Sequence, residues 1–138
     1  MRKVVGAVGC GFEQGARMSE TYLSPNADQI KAMVELPAED SIVMLNLLKF
    51  RPNGGAEDYA EYGRLARPFV ERAGVSIRYL GDVAATVIGG EEWDEVILVE
   101  YPSKQRFLEM TGDPDYPSEA RGNSLLDSRL YCMQDRAS

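Results

Sequence analysis

The stretch IVMLNLLKFR, Ile42 to Arg51, decides how this chain folds. Read at a period of two, it places Ile42, Met44, Asn46, Leu48 and Phe50 on one side and Val43, Leu45, Leu47 and Lys49 on the other. Both sides are apolar, so a strand here needs cover on both faces. One amide, Asn46, stands in the middle of a face otherwise built for burial, and a buried amide must find hydrogen-bond partners.

The segments on either side supply candidates for one cover. Upstream, SPNADQIKAMVELP reads as a short helix capped by Asn26 or Ser24, with Ile30, Met33 and Val34 as its apolar stripe and Pro37 as its stop. Downstream, RPNGG breaks the strand. AEDYAEYGRLARPFVERAG then repeats Tyr59, Tyr62, Ala66, Phe69 and Ala73 at spacings of three and four, the pattern of one buried helix face. Gly74 is a natural C-terminal stop, and Pro68 is expected to remove one backbone bond and bend the helix.

VSIRYLGDVAATVIGG reads as a long strand interrupted near Gly81, and GGEEWD turns the chain. DEVILVEYP is the second strongly apolar strand. PSKQRFLEM starts a further helix at Ser103 and turns Phe107 and Met110 inward. DPDYPSEARGNS is a turn-rich link with room for another helical turn, and LLDSRLYCMQ alternates as a last strand.

The order strand, helix, strand, strand, helix, strand, with an extra helix in front, is the α+β ferredoxin-like βαββαβ arrangement with an antiparallel sheet. Its first and third strands are central, and here they are also the two most apolar. Helices would cover one sheet face. The other face would be left bare, and a bare apolar face of that size is an interaction surface. A second copy of the chain, stacked sheet to sheet, is the expected cover, so a homodimer through the open face is expected.

Composition narrows the function. The 138 residues suit one domain, expected at 25–138 behind a loosely ordered lead segment at 1–24. A net charge of -7 argues against a nucleic-acid partner, which needs a surplus of Lys and Arg. The chain has no histidine, so histidine general-base chemistry, a Ser-His-Asp triad and a His-ligated haem are excluded. Cys10 and Cys132 are too far apart in sequence for a metal spacing and too few for a disulfide framework, so no metal and no cofactor are expected, and a reducing cytoplasm is the default. The apolar part of MRKVVGAVGCGF is short and glycine-containing, a weak export signal and an incomplete phosphate loop. No stretch has the length of a membrane span.

MLNLLKF, a Tyr-rich helix, WDEVILVEYPS, FLEM, DPDY and a late Arg before LLDS together resemble the dimeric α/β-barrel superfamily. Within it, the order and spacing from Ile42 to Met133 are similar to the uncharacterised group called "domain of unknown function 1330". The resemblance implies the barrel fold, the dimer and a pocket between sheet and helices in each subunit. Relatives in that superfamily include small oxygenases acting without metal or flavin, muconolactone-type isomerases and haem-degrading enzymes. The last rely on a histidine that is missing here.

Several residues stand out against this frame. Asn46 either bonds a core neighbour or orients a carbonyl or phenolate in the pocket. Tyr62 lies on the buried helix face, and its hydroxyl needs a partner. Arg121, after the DPDY turn, is either a solvated arginine or an anion clamp. These three are the candidate catalytic set, stabilising an anion formed by proton abstraction. Trp93, Glu100 and Arg129 are the candidate substrate contacts. Trp93 would cap the barrel mouth or stack on an aromatic ligand. Glu100 in a central strand would pair with an arginine such as Arg129, or else act as a base with a raised pKa. The expected ligand is a modest, partly aromatic or anionic molecule. Whether the pocket catalyses, as a cofactor-independent oxygenase or isomerase, or only binds, as a ligand-binding or stress-response module, is open at this level.

Overall fold

The computed structural model of the chain describes residues 21–37 and 40–136. Most of the expected lead segment, with Cys10 and the glycine-rich GAVGCG, lies outside them. Eight elements follow one another: α1 (Ala27–Val34), β1 (Ile42–Phe50), α2 (Gly55–Ala73), β2 (Ser76–Asp82), β3 (Glu95–Tyr101), α3 (Lys104–Gly112), α4 (Ser118–Ser124) and β4 (Leu125–Met133).

Local chemistry sets the boundaries. Asn26 caps α1 in a reciprocal capping box with Gln29. Gly74, at φ 74°, closes α2 in the left-handed conformation that glycine tolerates. α2 continues through Pro68 as one helix. Pro68 is exposed, so water can take the carbonyl left without its bond. The Ser103 hydroxyl accepts from the Arg106 amide at 3.3 Å to start α3.

The sheet is antiparallel in the order β2-β3-β1-β4, which puts β1 and β3 in the middle as the sequence implies. The long strand expected from residue 75 to 90 ends at Asp82. Its partner β3 begins at Glu95, opposite Asp82, and beyond that pair a single bond from the Val83 amide to the Asp94 carbonyl, at 2.9 Å, closes the ladder. The turn-rich link does hold an extra helix, α4.

The two faces of β1 differ as its pattern requires. Ile42, Met44 and Leu48 face the helices and are buried, and Ile42, Met44, Val99, Tyr101, Phe107 and Met110 share one core with Met33 of α1 and Ala73 of α2. The opposite face carries a straight row across all four strands, Tyr79–Leu98–Leu45–Tyr131, each opposite the next in the register. Tyr79 and Tyr131 are 57% and 51% exposed, and the leucines between them are only partly covered.

Candidate functional site

Between the sheet and the helices lies a cavity of about 690 Å³. β1 contributes Met44 and Asn46, successive residues on its helix-facing side. β3 contributes Ile97, Val99 and Tyr101 with the same parity. α2 adds Tyr59 and Tyr62, then Ala66 and Val70 one turn on, because a spacing of three to four keeps side chains on one helix face. Tyr116, from the link after α3, and Arg121, from α4, complete a polar cluster in an otherwise apolar lining.

The cluster has a defined hydrogen-bond logic. Arg121 Nη2 donates to Asn46 Oδ1 at 3.3 Å. Arginine can only donate, so the Asn46 oxygen must face it and the amide nitrogen must point elsewhere. Among the described residues no protein acceptor takes the hydrogens of that nitrogen. Tyr62 and Tyr116 share a short hydroxyl–hydroxyl hydrogen bond. The rings stack tightly: Tyr59 lies 5.2 Å from Tyr62, and Tyr116 stands edge-on to Phe69 at 5.6 Å.

Burial dominates the acidities. It pushes the hydroxyls of Tyr59, Tyr62 and Tyr101 well above the ordinary tyrosine range, and that of Tyr116 upward as well. The Arg121 guanidinium pulls all four back, but only in part. At neutral pH these are protonated phenols, able to donate and unable to serve as bases. The described lining holds no Asp, Glu, Lys or Cys, and no carboxylate among the described residues forms an ion pair with Arg121. A part-buried cation ringed by neutral donors is electrostatically suited to a negative charge. It is poorly suited to abstracting a proton.

The structure therefore brings Asn46, Tyr62 and Arg121 together in one cavity. Trp93, Glu100 and Arg129 do not join them. Glu100 stands opposite Val43, and Arg129 opposite Leu47, so both lie on the sheet face that turns away from Asn46. Glu100 does pair with an arginine, but the partner is Arg78 and not Arg129. Glu100 meets Arg78 at 3.7 Å, while Arg129 is held by Asp127 at 2.8 Å and Glu91 at 3.1 Å. The Arg129 guanidinium lies between the rings of Tyr22 and Trp93, at 4.8 and 5.0 Å, which occupies the tryptophan.

Sequence reasoning missed Tyr59, Tyr101 and Tyr116 as site residues. Tyr59 was readable only as part of the buried face of α2. Tyr101 shares the parity of Ile97 and Val99, and that parity was the available signal. Among the described residues, no three of His, Cys, Asp and Glu gather in a metal-binding group.

A four-stranded antiparallel sheet in this order, with helices on one face enclosing a tyrosine-rich pocket, defines a ferredoxin-like α+β protein. RPA0582, a protein of unknown function from Rhodopseudomonas palustris, is similar to it with a TM-score of 0.79 and 32% identity, over 86% of this chain and 100% of that one. The methylated form of RPA0582 gives 0.78 over 98% of its length. The chain belongs to the RPA0582 family. At 15% identity, SnoaB, a cofactor-independent oxygenase from Streptomyces nogalater, shares the fold with a TM-score of 0.51 over 72% of this chain and 96% of its own. A dimeric ferredoxin-like protein of unknown function from a Jannaschia species, 11% identical, reaches 0.50 over 69% of this chain and 99% of its own. No family model and no curated protein matches the chain. Among the described residues no helix is long and apolar enough to cross a membrane.

Proposed function

We propose that the protein is a homodimer whose subunits each bind a small organic anion between sheet and helices. The observation that carries this reading is Arg121: a part-buried guanidinium with Asn46 and four protonated tyrosines around it and no carboxylate among the described residues to neutralise it. A bound carboxylate, phenolate or enolate supplies the missing charge, and the phenols and the Asn46 amide supply hydrogen bonds to it.

The chemistry this supports is cofactor-independent oxygenation or isomerisation of a substrate acidic enough to ionise once its anion is stabilised. The proton leaves to water, since no lining group among the described residues accepts it. In the oxygenation, dioxygen adds to the carbanion formed at a carbon bearing two hydrogens in the keto form, the peroxide anion takes a proton back from water, and the hydroperoxide loses water, with the second hydrogen of that carbon, to leave a carbonyl. Dioxygen is the oxidant, and no external reductant is required. SnoaB gives this reading a precedent at the level of fold alone.

The absence of a base in the described lining favours a second reading, a pocket that binds an anion and does nothing further to it. Incubation with a panel of hydroquinones and lactones, in air without added metal, separates the two. Turnover supports the enzyme. No turnover, with an anion retained at one per subunit in native mass spectrometry, supports the binder. The dimer rests on the exposed Tyr79–Leu98–Leu45–Tyr131 row, and light scattering that gives a monomer at micromolar concentration would sink it.

A further inference from the structure

Beside the main cavity lies a second one, about 270 Å³ in volume, beneath α1. The two share Pro25, Met44, Phe107 and Leu130, so they adjoin along a common apolar wall. From Asn46 the next residue on the same face of β1 is Met44, roughly 7 Å further along. Leu130 stands directly opposite Asn46 on β4, and Cys132 opposite Met44. Along this face of the sheet, Met44 and Leu130 thus stand between the polar cluster and the residues under α1, Ala32, Met33, Leu36 and Cys132. The polar content there is a single Gln29 side chain at the lining.

The cover over these residues is held at both ends. Tyr22 is tied to β4 by its amide on Asp127 Oδ1 at 2.8 Å and by its carbonyl on the Ser128 hydroxyl. At the other end Lys104 Nζ donates to the carbonyls of Val34, the last residue of α1, and Leu36, two residues further on. Residues 22–36, tied at these two ends, thus lie over an apolar floor.

We infer that the ligand is an amphipathic monoanion, with its acidic head at Arg121 and Asn46 and an extended apolar body running past Met44 beneath α1. This rests on the anion-binding reading of the main cavity and names the class of molecule that would fill it. One part-buried cation matches one negative charge, and Arg67, the other arginine of the lining, is exposed to solvent. The main cavity alone has the volume of pockets that enclose drug-sized ligands, well beyond what a bare benzoate fills.

Calorimetric titration of the full chain with benzoate, para-pentylbenzoate and para-pentylbenzamide tests head and tail separately. The pentyl acid is expected to bind at one per subunit, at least about tenfold tighter than benzoate, because several buried methylenes each add to affinity. It is expected to exceed the neutral amide by a similar factor. Ala32→Trp, which fills the space under α1, is expected to bring the pentyl acid down to the affinity of benzoate. Independently of any variant, bound pentyl acid is expected to slow alkylation of Cys132 in the wild-type protein, read at its peptide by mass spectrometry. If benzoate and the pentyl acid bind alike and both exceed the amide, the anion site stands and the extended body is wrong. If the pentyl acid exceeds benzoate but neither Ala32→Trp nor Cys132 responds, the tail does not lie under α1 and the inference falls. If the acid is no better than its amide, the anion reading itself fails.

Discussion

Arg121 and the tyrosines around it make opposite demands on stability and on binding. Removing Arg121 takes a charge out of a desolvated site, so Arg121→Met is expected to shift the urea-unfolding free energy by no more than about 1 kcal/mol, in either direction. The same change is expected to weaken binding of para-pentylbenzoate by about tenfold or more. A loss of several kcal/mol would instead make Arg121 a structural member of the core. The tyrosines give a pH signature. Burial first, and neighbouring hydroxyls second, hold Tyr62 and Tyr101 above the ordinary value of 10.0, so their neutral forms are favoured by folding. A folded pKa above the unfolded one gives stability that is complete below about pH 10 and declines as pH rises through that value toward the folded pKa. These groups thus contribute no slope to stability between pH 6 and 9, and a steep fall above about pH 10, accompanied by phenolate absorbance that appears with unfolding. Phenolate forming at lower pH in the folded protein would show that the cavity is better hydrated than its lining implies.

At the scale of elements, α4 is the shortest of the described helices and the one that carries Arg121, so its attachment decides the site. The Ser124 carbonyl at its end accepts from the Arg51 amide at 3.1 Å, and the buried Ser124 hydroxyl donates to the Arg121 carbonyl at 2.7 Å. Gly55, at the start of α2, fits against this joint so closely that an added Cβ would lie 2.8 Å from the Ser124 oxygen, a backbone atom with little room to yield. Gly55→Ala is therefore expected to destabilise the fold by about 1–3 kcal/mol in urea unfolding and to weaken anion binding by displacing α4. Unchanged stability would mean that the joint is loose and that Arg121 is positioned by other contacts. This dependence was not legible in the sequence, where RPNGG read only as a breaker between strand and helix. The helices and strands themselves were legible, because Tyr59, Tyr62, Ala66, Phe69 and Ala73 repeat at helical spacing and both faces of Ile42–Phe50 are apolar. What periodicity could not give was the partner across space. Parity within each strand was readable, but it needed the register to place Glu100 opposite Val43, and so away from Asn46.

For the whole molecule, the two-sided apolar strand raises a question that the subunit alone does not close. The helix-facing side of β1 is covered within the chain, while Leu45 and Leu47 on the other side are only partly covered. In the proposed dimer the Tyr79–Leu98–Leu45–Tyr131 row of one subunit meets the open face of its partner, and Leu98 and Leu45 sit on the two central strands, away from the sheet edges. Ion pairs flank the row, Arg78 with Glu100 on one side and Arg129 with Asp127 on the other, which suits a polar rim around an apolar centre. Leu98→Lys places an ammonium in that centre, where a buried charge without a partner is strongly unfavourable. In an isolated subunit the same lysine reaches water, because the position is partly exposed and a long side chain can extend its charge outward. The variant is thus expected to be a folded monomer at concentrations where the parent chain is a dimer, with the far-ultraviolet circular dichroism unchanged and the mass halved in sedimentation equilibrium. A Leu98→Lys protein that stays dimeric would place the interface elsewhere. The proposed anion pocket lies on the opposite side of the sheet, so a folded monomer that still binds para-pentylbenzoate would show that each pocket is complete within one subunit. Loss of binding together with the dimer would tie the two faces of the sheet through its central strands.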